Sequence, residues 1–196
     1  MHRCFVLFVL ITAGCSTSTT PQGSSAQNAP HGHNGPSAEK SPRHDYSQWK
    51  LYAPKEATFK VRFPSDPTLK TTPHGSETIH VAGVQRQGVD GLGYVCQSLL
   101  MEKPYNSREA EATYLKGQQN GALKSSNGKL VAEKEITLGG VPGREFIIQV
   151  ADKNVLHSRV YLASSQVINL QVWGRDTEAV SSKEAIMFLD SLTLGK

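Results

Sequence analysis

The sequence predicts a mixed α+β domain in which an antiparallel β-sheet is flanked by helices. Several segments alternate apolar and polar residues with a period of two and are separated by turn sequences, which is typical of antiparallel strands. Two longer segments have helical features. In addition, residues 16–45 contain no Val, Ile, Leu, Met, Phe, Trp, Tyr or Cys, so the domain is expected to begin at Tyr46. We therefore predict a signal peptide over 1–14, a lipidated Cys15 with a flexible tether over 15–45, and the domain over 46–196.

The composition fits one modest domain with an unpacked extension. The chain has 196 residues, of which 38% are apolar and 19% are charged. A globular domain usually contains about 45–50% apolar residues, so part of the chain is not expected to pack. The net charge is only +4 and the sequence has no run of Lys or Arg. This excludes the usual pattern of a nucleic-acid-binding protein, and no nucleic-acid partner is predicted.

The N-terminal residues have the pattern of an export signal. Arg3 precedes an apolar run over 5–11 that is far too short for a membrane span of about 20 residues. The sequence Thr12-Ala13-Gly14-Cys15 resembles a bacterial lipobox, although Thr12 stands where Leu, Val or Ile is usual and Ile11 lies one step earlier. The alternative is an ordinary cleaved signal that leaves a soluble exported protein.

The resemblance implies a membrane anchor at Cys15. A diacylglycerol thioether and an acylated amine, with chains such as palmitate, would bury several chains at about 0.8 kcal/mol per CH₂. Ser16 stands where some bacteria use Asp to retain a lipoprotein in the inner membrane. We therefore expect an outer-membrane or cell-surface location, with the domain in the periplasm or outside the cell.

The tether is expected to be flexible because Ser, Thr, Pro and Gly supply 16 of residues 16–45. Its root-mean-square span would be about 30 Å. His31, His33 and His44 lie within it and imidazole binds divalent metals, but no carboxylate is fixed beside them. No metal site and no cofactor are predicted.

The first half of the domain is predicted to contain strands and one helix. Residues 59–64 alternate apolar and charged side chains and end at a proline, and Asp66-Pro67 indicates a turn. Further strands are expected over 77–87 and 93–101. The Gly-rich segment between them lacks the Lys and Ser/Thr of a phosphate loop. A helix is predicted over 107–123, with Asn106 or Ser107 as the N-cap.

The second half is predicted to be a meander closed by a helix. The expected strands are 130–137, 144–150, 155–162 and 166–174, with a turn over 138–143 and a final helix over 178–191. Pairing Leu162 with Gln166 and Val160 with Ile168 gives a three-residue loop, Ala163-Ser164-Ser165.

That register places a mixed set of polar and aromatic side chains on one sheet face. This set is a candidate partner-binding surface, because polar groups beside aromatic rings are enriched in binding sites. Its members on the last two strands are His157, Arg159, Tyr161, Asn169, Gln171 and Trp173. The alternative is that a helix or the segment from Trp49 to Tyr52 covers this face.

The domain resembles a group of exported bacterial proteins related to the PsbP-like fold, including DcrB-type envelope lipoproteins. The residues that carry the resemblance are Trp49-x-x-Tyr52, Phe59-x-Val61-x-Phe63-Pro64-x-x-Pro67, Leu138-Gly139-Gly140-x-Pro142-Gly143-Arg144-Glu145-Phe146 and Phe188-Leu189-Asp190-Ser191-Leu192. The resemblance implies an α/β/α sandwich. It transfers no catalytic residue.

The sequence favours a non-enzymatic module that binds an envelope protein or helps to assemble a complex. It contains no Gly-x-Ser-x-Gly, His-Glu-x-x-His or Cys-x-x-Cys. One alternative is a carrier of a small apolar or lipidic ligand. Another is a cryptic hydrolase assembled from scattered residues, namely His80, His157, Asp90, Asp152 and Asp190. Cys96 is expected to be a buried structural thiol.

Replacing the lipidated residue tests the anchor. A Cys15→Ser chain should lose detergent-phase partitioning, because no acyl chain can be attached, and should accumulate uncleaved or soluble. Phase separation in detergent measures this directly. Equal water solubility of the wild-type and variant chains would contradict the anchor.

Overall fold

The computed structural model describes residues 45–55, 57–74, 77–85, 91–102, 104–150 and 154–195. Predictions that fall on residues 1–44, including those for Cys15 and the three tether histidines, lie outside this part, as do those for Asp90 and Asp152. The elements in chain order are β1 (Lys50–Tyr52), β2 (Phe59–Phe63), β3 (Thr68–His74), β4 (Glu77–Gln85), β5 (Gly93–Leu100), α1 (Arg108–Ser126), β6 (Lys129–Leu138), β7 (Val141–Gln149), β8 (Val155–Ala163), β9 (Gln166–Gly174), α2 (Thr177–Val180), α3 (Lys183–Asp190) and β10 (Thr193–Leu194).

A seven-stranded antiparallel sheet forms the centre, in the order β3-β4-β5-β9-β8-β7-β6. It consists of two meanders, β3 to β5 and β6 to β9, which meet where β5 pairs with β9 over the full length of β5. A second, three-stranded sheet has the order β1-β2-β10. The prediction of a mixed α+β fold with an antiparallel sheet between helices is confirmed.

Helix α1 covers one face of the large sheet. The Ser107 hydroxyl accepts a hydrogen bond from the Ala110 N–H at 3.2 Å and caps the helix, while Glu109 and Glu111 lie in its first turn, where the helix dipole favours anions. The helix contacts β7 and β8. The buried apolar residues on this side are Ile79, Leu99, Met101, Leu115, Ala122, Phe146, Ile148, Leu156, Val160, Leu162 and Val167.

The opposite face is covered by α2, α3 and the small sheet. Strand β2 buries every second residue here because its side chains alternate between the core and solvent. The rings of Phe63 and Tyr94 pack on Phe188 of α3, with centroids 5.1 and 5.3 Å away. The other buried apolar residues on this side are Phe59, Val61, Ala82, Leu92, Cys96, Val155, Tyr161, Ile168, Leu170, Val172, Val180, Ala185, Leu189 and Leu192.

Three predicted elements differ from the observed ones. The final helix is two helices, because Ser182 starts α3 by accepting a hydrogen bond from the Ala185 N–H at 3.3 Å. The turn predicted over 138–143 is confined to Gly139-Gly140, both with positive φ, so Pro142 and Gly143 belong to β7. The loop predicted between Ala163 and Ser165 is also wrong. Ala163 pairs with Gln166, which leaves a two-residue turn with Ser164 at a φ of 54°.

Gly143 is required by close packing between β7 and β8. Its cross-strand partner is Tyr161, whose ring lies over the glycine. A Cβ atom added at Gly143 would be 2.6 Å from Tyr161 Cδ1 and 2.8 Å from the carbonyl oxygen of Val160. Since one of these neighbours is backbone, a side chain would require the strands to move. Glycine therefore allows Tyr161 to lie flat on the sheet.

We expect Gly143→Ala to lower the free energy of unfolding by about 1–3 kcal/mol, the usual cost of overpacking a core. Urea denaturation measures this. The control is Gly117→Ala on α1, where an added Cβ meets nothing within 4 Å and should stabilise the helix by up to about 1 kcal/mol. Equal stability of the Gly143→Ala variant and the wild type would show that β7 and β8 can separate at this point.

Candidate functional site

The six side chains proposed as one binding face lie on two opposite faces of the sheet. The observed register pairs Tyr161 with Ile168 and Val160 with Asn169, so the side chains of β9 are inverted relative to the prediction. His157, Arg159 and Tyr161 point toward α2 and α3. The other three, Asn169, Gln171 and Trp173, point to the side of α1. The prediction of a single face was therefore wrong.

The residues of the first group are covered by helices. His157 is 2% exposed and Tyr161 is 4% exposed. We define the helix-end cluster as the three residues of this group, His157, Arg159 and Tyr161, with the neighbouring Glu145, Asp190 and Lys134. The group therefore fits the alternative in which a helix covers this face. It does not form an exposed binding surface.

His157 lies between two hydrogen-bond acceptors. Its Nδ1 is 2.9 Å from the carbonyl oxygen of Val180, the last residue of α2, and its Nε2 is 2.6 Å from Glu145 Oε1. A carbonyl oxygen can only accept, so Nδ1 donates to Val180. Nε2 then shares a proton with the carboxylate. Both ring nitrogens are used in holding the fold together.

Arg159 makes the equivalent contact with α3. Its Nη1 donates to Asp190 Oδ1 at 2.5 Å, and Asp190 is the last residue of that helix. Its Nε lies 3.1 Å from Glu145 Oε2. On the other side of Glu145, Lys134 Nζ lies 3.2 Å from the same oxygen. Lys134, Glu145 and Arg159 are direct cross-strand neighbours on β6, β7 and β8.

The charges in the helix-end cluster keep Glu145 ionised. Burial alone would raise its pKa, but the hydrogen bond from His157 and the positive charges of Arg159, His157 and Lys134 lower the pKa to about 2. Arg159 is likewise held in its charged form, since burial is outweighed by Glu145 and Asp190 and its pKa is raised. The cluster therefore contains a buried anion surrounded by donors.

The second group contributes to a polar layer on the α1 side. The Ser158 hydroxyl donates to Asn169 Oδ1 at 2.8 Å, and the Trp173 indole N–H donates to Gln171 Oε1 at 3.4 Å. Gln97 lies directly opposite Asn169 on β5. Within the described part of the chain, Gln97 Oε1 is buried without a hydrogen-bond partner.

A surface network borders this layer. Glu133 accepts from Arg144 at 2.6 Å and from Lys116 at 2.7 Å, and Arg144 also donates to Gln119 Oε1 at 2.6 Å. Hydrogen bonds from Lys116 and Arg144 lower the pKa of Glu133 to about 2. This network joins α1 to β6 and β7.

Sequence reasoning missed the partners rather than the central residues. His157, Arg159 and Asp190 were singled out, but Glu145 was noted only within a motif, and nothing in the sequence placed Asp190 beside Arg159. A period-two pattern would have put Glu145 on the same side of β7 as Gly143. It could not reveal that His157 and Arg159 converge on it.

The thiol of Cys96 lies in the core. Cys96 is 1% exposed and burial raises its thiol pKa, so it is poorly suited to be a nucleophile. Among the described residues, no cluster of His, Cys, Asp and Glu is arranged to hold a metal ion. No helix of the described part is long and apolar enough to cross a membrane.

Comparisons with known proteins place the chain near two solved structures. No protein-family model matches the chain, and no curated protein matches it. A solved structure of the Pseudomonas aeruginosa protein PA94, a protein of unknown function, aligns with 14% identity and a TM-score of 0.42, over 68% of this chain and 86% of that one. The solution structure of cyanobacterial PsbP from Synechocystis aligns with 9% identity and a TM-score of 0.47, over 80% of this chain and 98% of that one.

The ionised Glu145 predicts an acid-sensitive fold. Its pKa is near 4.5 when unfolded and about 2 when folded, so its contribution is complete above pH 5 and is lost as the pH falls toward 2. The loss should be on the order of 3 kcal/mol, measured as the urea unfolding free energy between these pH values.

A Glu145→Gln variant provides the comparison. It should be less stable at neutral pH by about 3–5 kcal/mol, because Arg159 and His157 lose their anion. Its unfolding free energy should also fall less steeply with acid. Identical acid slopes in the wild type and the variant would contradict a lowered Glu145 pKa.

Proposed function

We propose that the chain is a lipid-anchored protein of the cell envelope whose domain binds a protein partner without catalysing a reaction. The anchor would be Cys15, attached to the outer membrane or cell surface, with the domain in the periplasm or outside the cell. Arg3, the apolar run over 5–11 and the lipobox-like sequence ending at Cys15 support the anchor.

The observation that carries the binding proposal is the unequal protection of the two edges of the large sheet. Strand β6 has a bulge between Leu130 and Ala132 and then a charged run, Glu133-Lys134-Glu135. Bulges and charges are the usual protection against pairing with another chain. Strand β3 also carries a lysine and a proline, but it has no bulge and pairs without interruption with β4, and its Leu69 is 62% exposed. The less protected edge is β3.

A partner could add a strand along β3. Pro73 pairs with Thr78 although it has no N–H, as expected where the nitrogen of an edge strand points away from its neighbour. By the two-residue period, the N–H groups of Leu69 and Thr71 point in the same direction. Residues 68–72 therefore offer backbone groups for strand addition, with Leu69 as an apolar contact.

The helix-end cluster supports a non-enzymatic role. A hydrolase would need a histidine free to take a proton from a nucleophile. His157 instead has one ring nitrogen on the carbonyl of Val180 and the other on Glu145. Asp190 is likewise engaged by Arg159. These contacts indicate that the cluster stabilises the fold.

A cleft at the end of β7 is too open to support the alternative of an apolar carrier. This open cleft of about 740 Å³ is lined by Gln149, Val150, Arg175 and Asp176. Arg175 and Asp176 form an ion pair at 3.1 Å. Because this cleft is open to solvent, it would shelter little of the surface of an apolar or lipidic ligand.

A charge placed on β3 should block the partner. We expect Leu69→Lys to abolish the crosslinked species that the wild-type chain forms in envelope fractions of its own cell, because a lysine repels an added strand and removes the apolar contact. The measurement is crosslinking followed by purification of the chain. The matched control is Val131→Lys, since Val131 is 50% exposed on the opposite edge.

Both variants should keep the wild-type unfolding free energy within about 0.5 kcal/mol, as is usual for surface changes. Loss of the crosslinked species in the Val131→Lys variant and its retention in Leu69→Lys would place the partner on β6 and overturn the assignment to β3.

A further inference from the structure

The outward face of the small sheet combines basic and apolar side chains. Leu51 and Arg62 are direct cross-strand partners, and Lys60 pairs with Thr193 on the other side of β2. Lys60 and Arg62 alternate along β2 with the buried Phe59, Val61 and Phe63, so they point away from the core, and their cross-strand partners Thr193 and Leu51 share that face. We call these four residues the outer face. Leu51 is 54% exposed, one of four large apolar side chains exposed in the described structure.

The charge around the outer face is mainly positive. Lys55 is exposed just after β1, and within the described residues neither Lys55 nor Lys60 lies in an ion pair. Lys50 is also exposed, but it pairs with Phe63 and therefore points to the other side of β1. The guanidinium of Arg62 lies 5.7 Å from the centre of the Tyr46 ring. Two acidic residues are near this end: the charge of Lys183 acts on Asp45, and the charge of Asp190 acts on Tyr46.

The chain enters the domain at this same face. The Tyr46 hydroxyl donates to the carbonyl oxygen of Met187 at 2.8 Å, and the ring of Tyr46 packs edge-on against Trp49. Trp49 in turn packs against Tyr94 in the core, with ring centroids 6.5 Å apart. Asp45 is therefore held at the outer face, and residues 16–44 connect it to Cys15.

We propose that the outer face docks on an anionic lipid surface when the chain is anchored. The proposal rests on the lipid anchor of the proposed function. Lysine and arginine side chains are attracted to anionic headgroups, and an exposed leucine can enter the boundary between headgroups and acyl chains. Because the anchor joins the domain at this face, the outer face can reach the membrane without rotation of the domain.

Because the tether would keep the domain near the membrane, even a weak attraction of the outer face to lipid would be enough for docking. The tether predicted from the sequence is expected to span about 30 Å and would hold the domain at a millimolar effective concentration near its anchor. Docking in this way would turn α1 away from the membrane, because α1 covers the opposite face of the large sheet. The basic residues Lys55, Lys60 and Arg62 would then act together with the anchor.

Vesicle sedimentation of the non-lipidated protein tests the proposal. The chain from residue 15 onward with Cys15→Ser lacks the apolar signal segment, which could itself bind lipid. It should sediment with vesicles of phosphatidylcholine mixed with phosphatidylglycerol, remain in solution with phosphatidylcholine alone, and be released by salt. In this background Lys60→Gln/Arg62→Gln should weaken binding about 25-fold, since each basic residue near an anionic surface is worth about fivefold.

The matched control is Lys124→Gln/Lys129→Gln, which removes the same charge from exposed positions near the end of α1 and the start of β6. It should change binding by no more than about twofold, because distant charges are screened. Urea unfolding confirms that both variants fold.

Three results would overturn the proposal: no binding to the mixed vesicles, equal binding to neutral vesicles, or equal loss in the two double variants. A chain that stays in solution with every vesicle would leave a protein as the partner of the outer face. None of these results bears on lipidation, which the detergent partitioning of Cys15→Ser measures separately.

Discussion

The carboxylate of Glu145 organises the side of the domain on which the helices end. It is hydrogen-bonded to His157 on β8 at 2.6 Å and forms an ion pair with Arg159 on the same strand, whose Nε lies 3.1 Å away but makes no hydrogen bond. Each of these two side chains also makes a hydrogen bond to the end of one helix. His157 binds the last carbonyl of α2, and Arg159 binds Asp190 at the end of α3. The C-terminal end of a helix has unpaired carbonyls and a partial negative charge, and an acidic residue there is unfavourable. The donors of β8 satisfy both requirements, and Glu145 holds the two donors in position.

Long-range strand pairing determines where this cluster lies. Strand β9 pairs with β5 on one side and with β8 on the other, so it joins the two meanders and is buried along most of its length. The two-residue turn at Ser164 fixes which face each β9 side chain occupies. With this register Ile168 and Leu170 pack beside Tyr161 and Arg159, while Asn169 and Gln171 form the polar layer beneath α1.

Local patterns predicted the elements whose side chains are buried on one face and exposed on the other. Strand β2 alternates strictly, α1 has a serine cap and acidic first turn, and β9 was predicted with its observed bounds. Strand β3 was not predicted, because Thr68–His74 is mostly exposed on both faces and contains a proline. The turn at Ser164-Ser165 lacks the Asn-Gly or Asp-Gly signal of a two-residue hairpin.

The candidate site was predicted less well than the fold for a related reason. A one-residue error in the register between β8 and β9 moves every side chain of one strand to the other face. His157 and Arg159 were identified as noteworthy, but their common partner Glu145 lies on another strand, and Asp190 follows 31 residues after Arg159. Such contacts depend on the tertiary arrangement, which periodicity within one strand does not contain.

The position of β10 has a consequence for the order in which the chain can fold. Thr193 and Leu194 pair with β2, so the small sheet that begins near residue 50 is completed only by the last residues described. The helices α2 and α3, which cover the same side of the core, also follow β9. During synthesis, the first meander and α1 leave the ribosome long before their partners exist. Because these contacts are so distant in sequence, the side of the core formed by the small sheet, α2 and α3 can close only after residues 177–194 have been made.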